Sequence, residues 1–398
     1  MSSTRCPESP RDSSGGIAAI TLLNSLATGV LWNGLGFVTE REFHFTEVET
    51  YLLYIAAGSV YALAAFWSGK IVRALGRRLS PRGVMALLFA AQAVVAPFVY
   101  LRGTSVGLIV VALVTSVTGA ILWPIVESYV GAGRTPEATR RAIGRWCLVW
   151  MASVAAMLVL MAPLTQTDGW LTPRLAIAGI LPLSIASIAA LAWVAPQPPP
   201  HHEAHEAAPA SYRPQLACVR IILPASYVLV GALSPLMPYL LSQLDLPLSS
   251  QTPLTAAWLS VRLGVVAIMA HAAFWHGRWG ALLAGALALA GGFALVVGVK
   301  SVPALVLGLA LFGAGHGIIY YAALYYALRV GSAQIDAGSV HEGLIGLGYV
   351  IGPAAGLAGS LLGGGAWTVG VIWSILGLVA IPALQPWLRE RACSARRA

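Results

Sequence analysis

Ionisable side chains are rare inside the long apolar runs of this 398-residue chain, so each one that occurs there is a candidate for chemistry. Glu127 lies four residues after Trp123, near the end of one run, and Arg145 opens the next. His341 and Glu342 open a later run. A carboxylate in such a place is costly unless it is paired. Arg145 is the expected partner of Glu127, and Arg73 is a second cation within reach of Glu342. Such pairs suit a gate that breaks and re-forms, and they equally suit static links at helix ends. Arg262 sits about a third of the way into its run, deeper than a snorkelling arginine reaches. It is expected to face an aqueous cavity and to hold an anionic group of a solute or a counter-charge.

A second set of residues suits binding. His316, Tyr320, Tyr321, Tyr325 and Tyr326 fall in one run. In a helix His316 shares a face with Tyr320, and Tyr321 with Tyr325. A tyrosine offers an apolar ring and a hydroxyl, which fits an organic solute. His316, Tyr320 and Tyr321 are assigned to a cavity, and Tyr325 and Tyr326 to packing or an interfacial belt. The imidazole of His316 titrates in the physiological range when unperturbed, so it is a candidate proton carrier; a plain hydrogen-bonded histidine is the alternative. Near the start of the chain Thr21, Asn24 and Thr28 form one helical stripe, with Asn33 off it. Tyr227 and Ser234 stand seven residues apart in a further run, and Asn24, Thr28, Trp123 and Tyr227 are assigned to the cavity together with Arg262, His316, Tyr320 and Tyr321.

The elements that must position these residues follow from composition. Hydrophobic residues make up 58% of the chain and charged residues 10%. A soluble domain carries roughly 25% charged residues, so a soluble enzyme and a disordered chain are excluded. Twelve apolar segments can be traced: 16–39, 50–68, 83–101, 105–130, 142–164, 175–194, 216–244, 254–274, 279–299, 304–328, 340–362 and 366–384. Each is near the ~20 residues a membrane helix needs. They are continuously apolar, unlike the alternating segments of a spanning barrel. With the N-terminus inside, 19 of the 24 basic residues fall on the inner side, so both termini are expected to be cytoplasmic. The first 15 residues lack a signal-peptide core, and the first segment is expected to be retained.

The stretch 196–215, PQPPPHHEAHEAAPASYRPQ, reads as a linker between an N-terminal bundle of six helices, residues 1–195, and a C-terminal one, residues 216–398. Its His201, His202 and His205 read as loop histidines, and no metal or cofactor is expected. Cys6, Cys147, Cys218 and Cys393 all fall near the inner face, where thiols stay reduced. The formal charge of +9 is spread over short loops, which topology explains better than nucleic-acid binding. No phosphate-binding G-x-x-x-x-G-K-[ST] loop and no hydrolase motif occurs, so ATP-driven transport and enzyme chemistry are not expected.

Six plus six helices around a cytoplasmic linker resembles the major facilitator superfamily. The residues that carry the resemblance lie at the second loop, 69–78. Gly69, Gly76, Arg77 and Arg78 fit its signature of glycine, three residues, aspartate, a basic residue, any residue, glycine and basic residues. Arg73 stands at the aspartate position and Ala74 at the next basic one. Gly69 is read as allowing close helix approach and Gly76 as allowing a tight turn. Gly348, Gly352 and Gly356 share one face of the eleventh helix, with Pro353 beside them. This is read as a packing stripe. The superfamily's antiporters carry a similar pattern in the fifth helix, which here has no glycine between Trp146 and Leu164. The resemblance implies that helices one, four, seven and ten line a central cavity. It also implies an inner-membrane, monomeric, all-α secondary transporter of a small organic solute. Proton coupling is expected from His316, Glu127 and Glu342. Two readings compete with transport: a non-transporting sensor or assembly scaffold on the same fold, and a membrane enzyme in which His271, His316 and His341 converge.

Overall fold

The computed structural model describes residues 13–103, 105–131, 135–165, 172–199, 208–298, 300–330 and 335–395. The linker histidines, Cys6 and the first residues named above lie outside the described residues, as does the side chain of Cys393. Among the described residues twelve helices are long and apolar enough to cross a membrane: α1 (Ser14–Glu42), α2 (Glu47–Leu75), α3 (Pro81–Tyr100), α4 (Ser105–Gly131), α5 (Glu137–Leu164), α6 (Pro173–Trp193), α7 (Tyr212–Ser242), α8 (Leu248–His271), α9 (Trp279–Val297), α10 (Val302–Val330), α11 (Ile335–Leu361) and α12 (Ala366–Ala392). A helix satisfies every backbone group within itself, which is what a bilayer demands.

Local chemistry sets where several of these helices start. Thr46 and Glu49 form a reciprocal capping box at α2. Ser80 and Thr135 cap α3 and α5 through backbone N–H groups of Gly83 and Ala138. Pro81, Pro136 and Pro173 occupy first helical positions, where a missing N–H costs nothing. These caps lie outside the apolar runs. α2 continues through Arg73 and α11 is described from Ile335, several residues beyond the hydrophobic boundaries. His341 and Glu342 therefore stand two turns inside α11 rather than at its mouth. Gly76 follows α2 with φ of −61°, an ordinary right-handed backbone, so the turn there makes no use of glycine's freedom.

The halves meet along α2 against α11 and α5 against α8. Small residues let the backbones approach. A side chain at Gly69 would run into Asp336, one at Gly346 into Ala62, and one at Gly144 into Ala270. The α11 stripe packs two ways: Gly348 and Gly352 lie on α7, and Gly356 lies on the Tyr51 ring of α2. Pro353 seats against Gly231. A Cβ at Gly348 would sit 2.7 Å from the carbonyl oxygen of Pro224, a backbone atom that cannot swing away. Gly348→Val is accordingly expected to destabilise the protein by about 1–3 kcal/mol, read as a lower melting temperature in detergent. An unchanged melting temperature would show that α7 and α11 separate without penalty.

Candidate functional site

The end of the bundle from which residues 194–211 connect α6 to α7 is called the linker end below. Contacts join the two halves at both ends. At the linker end Ser68 and Ser339 hydroxyls lie 2.7 Å apart, and the Tyr321 hydroxyl donates to the Arg140 carbonyl at 2.8 Å. At the opposite end Arg41 donates to Gln251 at 3.2 Å, and the Thr50 and Tyr239 hydroxyls are 3.1 Å apart. Between these two seams lies a cavity of about 90 Å³.

The cavity wall is built from both halves and is mostly aromatic. Trp146 and Trp150, one turn apart on α5, face Trp258 and Arg262, one turn apart on α8. Glu342, Ile345 and Tyr349 form one stripe of α11. Trp32 stacks on Tyr349 at 4.7 Å and meets Tyr61 edge-on at 5.1 Å. The indole N–H of Trp146 donates to Thr21 at 3.1 Å, which fixes that ring against the cavity.

Of the residues expected in a cavity, Thr28, Trp123, Tyr227, Arg262 and Tyr320 line it. Asn24 does not; it is buried, and neither atom of its side-chain amide has a partner among the described residues. Asn33, read as off the polar stripe, does line the cavity. The reason is a π-helical turn at Val30–Gly34. One extra residue per turn rotates everything beyond it, and sequence spacing does not announce it. His316 is set behind the wall. Its ring is packed against Tyr227, Trp258, Phe312 and Tyr320, and neither ring nitrogen has a partner among the described residues. Tyr321 belongs to the linker-end seam through its bond to Arg140, not to the cavity. His271 is exposed and bonded to the Ala267 carbonyl, so His271, His316 and His341 form no cluster.

The expected charge pairs are replaced by others. Arg145 is exposed, more than two turns into its helix, and makes no ion pair among the described residues. Arg73 meets Asp336, at 2.6 Å, in a pair open to solvent on both sides. Asp336 was invisible as a partner because the hydrophobic boundary of α11 falls after it. Glu127 instead points across the interface between the halves. Its carboxyl, the carboxyl of Glu342 and a ring nitrogen of His341 lie within 4.8 Å of one another, all three buried. The Tyr61 hydroxyl donates to Glu342. Neither oxygen of Glu127 and not Nε2 of His341 has a hydrogen-bond partner among the described residues.

Arg262 is 2% exposed and has no carboxylate at ion-pair distance among the described residues. Its guanidinium lies 4.6 Å from the Trp150 ring centre, 4.4 Å from Tyr320 and 5.9 Å from Trp258. Ring faces offset part of a cation's desolvation. They leave Nε and one terminal nitrogen without an acceptor. At the linker end His276 packs among Tyr212, Trp275 and Tyr325, and its imidazole is held down to about 4 by burial and then by the Arg140 charge.

The family model described as Major Facilitator Superfamily matches residues 17–353. The human organic anion transporter MFSD10 (TETRAN) superposes with a TM-score of 0.69 at 14% identity, covering 96% of this chain and 100% of that one. The nucleoside transporter NupG superposes with a TM-score of 0.65 at 12% identity over 95% of this chain and 98% of its own; its D323A mutant gives 0.67 over 94% and 99%. No curated protein sequence matches the chain.

Proposed function

The chain belongs to the major facilitator superfamily, and from that premise we propose that it is a proton-coupled secondary transporter that moves a small organic solute by alternating access. It is a multi-pass membrane protein with the fold of transporters. The observation that carries the proposal is the cavity itself: a space walled by both halves, closed at each end by contacts between them, and holding a buried arginine. Rocking the halves about that space would expose it to one side and then the other. A non-transporting scaffold has no use for an unpaired buried cation, which only costs stability.

The linker end is assigned to the cytoplasm, because 19 of the 24 basic residues then lie inside. The membrane would be the cell's inner membrane. Solute specificity would rest on Trp150, Trp258, Arg262 and Tyr320. The Arg73–Asp336 pair would be a superficial latch, since exposed pairs contribute at most about 1 kcal/mol. The proton would be handled by Glu127 and Glu342 rather than by His316. The carboxyl groups bridge the halves, whereas the imidazole is sealed among rings.

Alternating access is testable at the linker seam. Ser68→Cys with Ser339→Cys places two thiols where hydroxyls now touch, in reach of a disulfide. Oxidising this double variant should lock the linker end and cut solute exchange by roughly tenfold or more, with recovery on reduction, because opening is obligatory in each cycle. Exchange that survives full cross-linking would refute rocking at that seam.

A further inference from the structure

The charge inventory of the cavity says more than that a solute binds; this step rests on the transporter reading. Arg262 brings the one positive charge into a wall of aromatic, aliphatic and a few neutral polar residues, with Glu342 as its one carboxylate among the described lining residues. In a low-dielectric space a lone cation is costly and needs a counter-charge. On the same wall stands Glu342, beside Glu127. Two buried carboxyl groups this close repel if both are charged. A proton on one of them removes a charge and supplies an O–H donor, which is what the unsatisfied oxygens of Glu127 lack.

The sum is simple. With one shared proton the carboxyl pair carries a single negative charge, and with Arg262 the empty cavity is neutral. A solute anion docked on the open nitrogens of Arg262 adds one negative charge. Neutrality returns if the carboxyl pair takes up a second proton. The other groups facing this space do not supply the balance. They are Tyr61 on α2, Cys147 on α5, Tyr227 on α7, Tyr320 on α10, and Tyr349 with His341 on α11. All of these are uncharged in their ordinary forms at neutral pH except His341, which lies against the carboxyl pair and is part of it; His316, behind Tyr227 and Tyr320 on α10, is sealed from the space by rings. Asp336 and Arg73, at the surface beyond the Ser68–Ser339 contact, neutralise each other.

We propose that the protein carries one organic monoanion together with one proton, in the same direction and with no net charge moved. The anion sets a carboxylate on Arg262 and lays a planar apolar body between the tryptophans of α5 and α8. Each carried anion brings one proton onto a carboxyl oxygen of Glu127 or Glu342 from the side it enters, and both leave on the other side. Cavity and charges together favour aromatic monocarboxylates over uncharged or dianionic solutes.

The test uses the purified full chain in detergent at pH 7 with benzoate, 2-naphthoate and indole-3-acetate, and with the uncharged amide of each. Binding is read from tryptophan fluorescence, and proton uptake from an indicator dye in weak buffer. At least one carboxylate should bind, its amide at least about tenfold more weakly, with close to one proton taken up per anion bound. The Glu127→Gln/Glu342→Gln double variant should bind the same anion and take up none. Amides that bind as well as carboxylates, proton release on binding, or no binding by any of the three carboxylates would overturn the proposal. Should binding and proton uptake both hold while liposomes show no flux of the same ligand, the transporter reading fails and the site assignment stands.

Discussion

Arg262→Gln is expected to stabilise the protein while removing its ligand. The guanidinium is buried, has no carboxylate partner among the described residues and leaves two nitrogens without acceptors. Such a group costs free energy in the empty protein; its replacement by a neutral side chain of similar volume should raise the melting temperature. The same change deletes a charge-assisted, two-pronged contact to the solute in a site that excludes water. Truncating a buried charged partner of this kind costs about 2–5 kcal/mol, or roughly 30-fold to several thousand-fold in affinity. Arg262→Lys should recover only part of the loss, since an ammonium keeps the charge and gives up the planar fork and the ring contacts. Melting curves and carboxylate titrations on the same preparations read both effects. A lower melting temperature with intact binding would mean that the arginine is scaffold.

The Glu127→Gln/Glu342→Gln double variant is expected to separate binding from energy coupling. Glutamine keeps the shape and the hydrogen-bond capacity of a protonated carboxyl but cannot release a proton. The linker seam should still close, because the Tyr61 hydroxyl and the amides can bond one another. Solute exchange down equal gradients should persist, whereas uphill accumulation driven by a pH gradient should disappear. With the counter-charge gone, Arg262 would be uncompensated, and anion affinity should rise by about tenfold, equivalent to 1.4 kcal/mol. Its dependence on pH should also weaken, because the two carboxyl groups that take up the balancing proton are gone and His341 alone remains of the cluster. Accumulation that survives in the double variant would place the coupling elsewhere.

How far the sequence spoke depends on which physical rule each feature obeys. Twelve helices could be read directly, since a bilayer imposes length and apolarity on every span. The cavity helices α8 and α11 gave partial signals. Arg262 stood out by depth, and Glu342 by charge, but Ile345 and Tyr349 continue the Glu342 stripe at helical spacing and could have been added. Trp146 and Trp150 likewise share a face with no polar residue to flag it. Other features were hidden by long-range geometry. The partner of Glu127 is on another half of the molecule, 215 positions away in sequence at Glu342, while the sequence-near candidate Arg145 points outward. The π-helical turn in α1 moved Asn33 into the wall without any local residue to signal it, whereas Trp32 continues the Ser25–Thr28 stripe at ordinary helical spacing. Helices α2 and α11 run past their apolar limits, which turned a supposed loop arginine, Arg73, into the helical partner of Asp336. His316 had the right residue type on the right helix, but aromatic neighbours on α7, α8 and α10 close around it.

The most direct measurement is uptake of the tightest-binding carboxylate into proteoliposomes, with the pH gradient and the membrane potential set independently. Liposomes carrying Arg262→Gln report the passive leak. Accumulation above the external concentration is expected when the outside is acidic, in proportion to the pH gradient and unchanged by a potential of either sign. Uptake no faster than in the Arg262→Gln liposomes, or uptake that follows the potential and ignores the pH gradient, would contradict it.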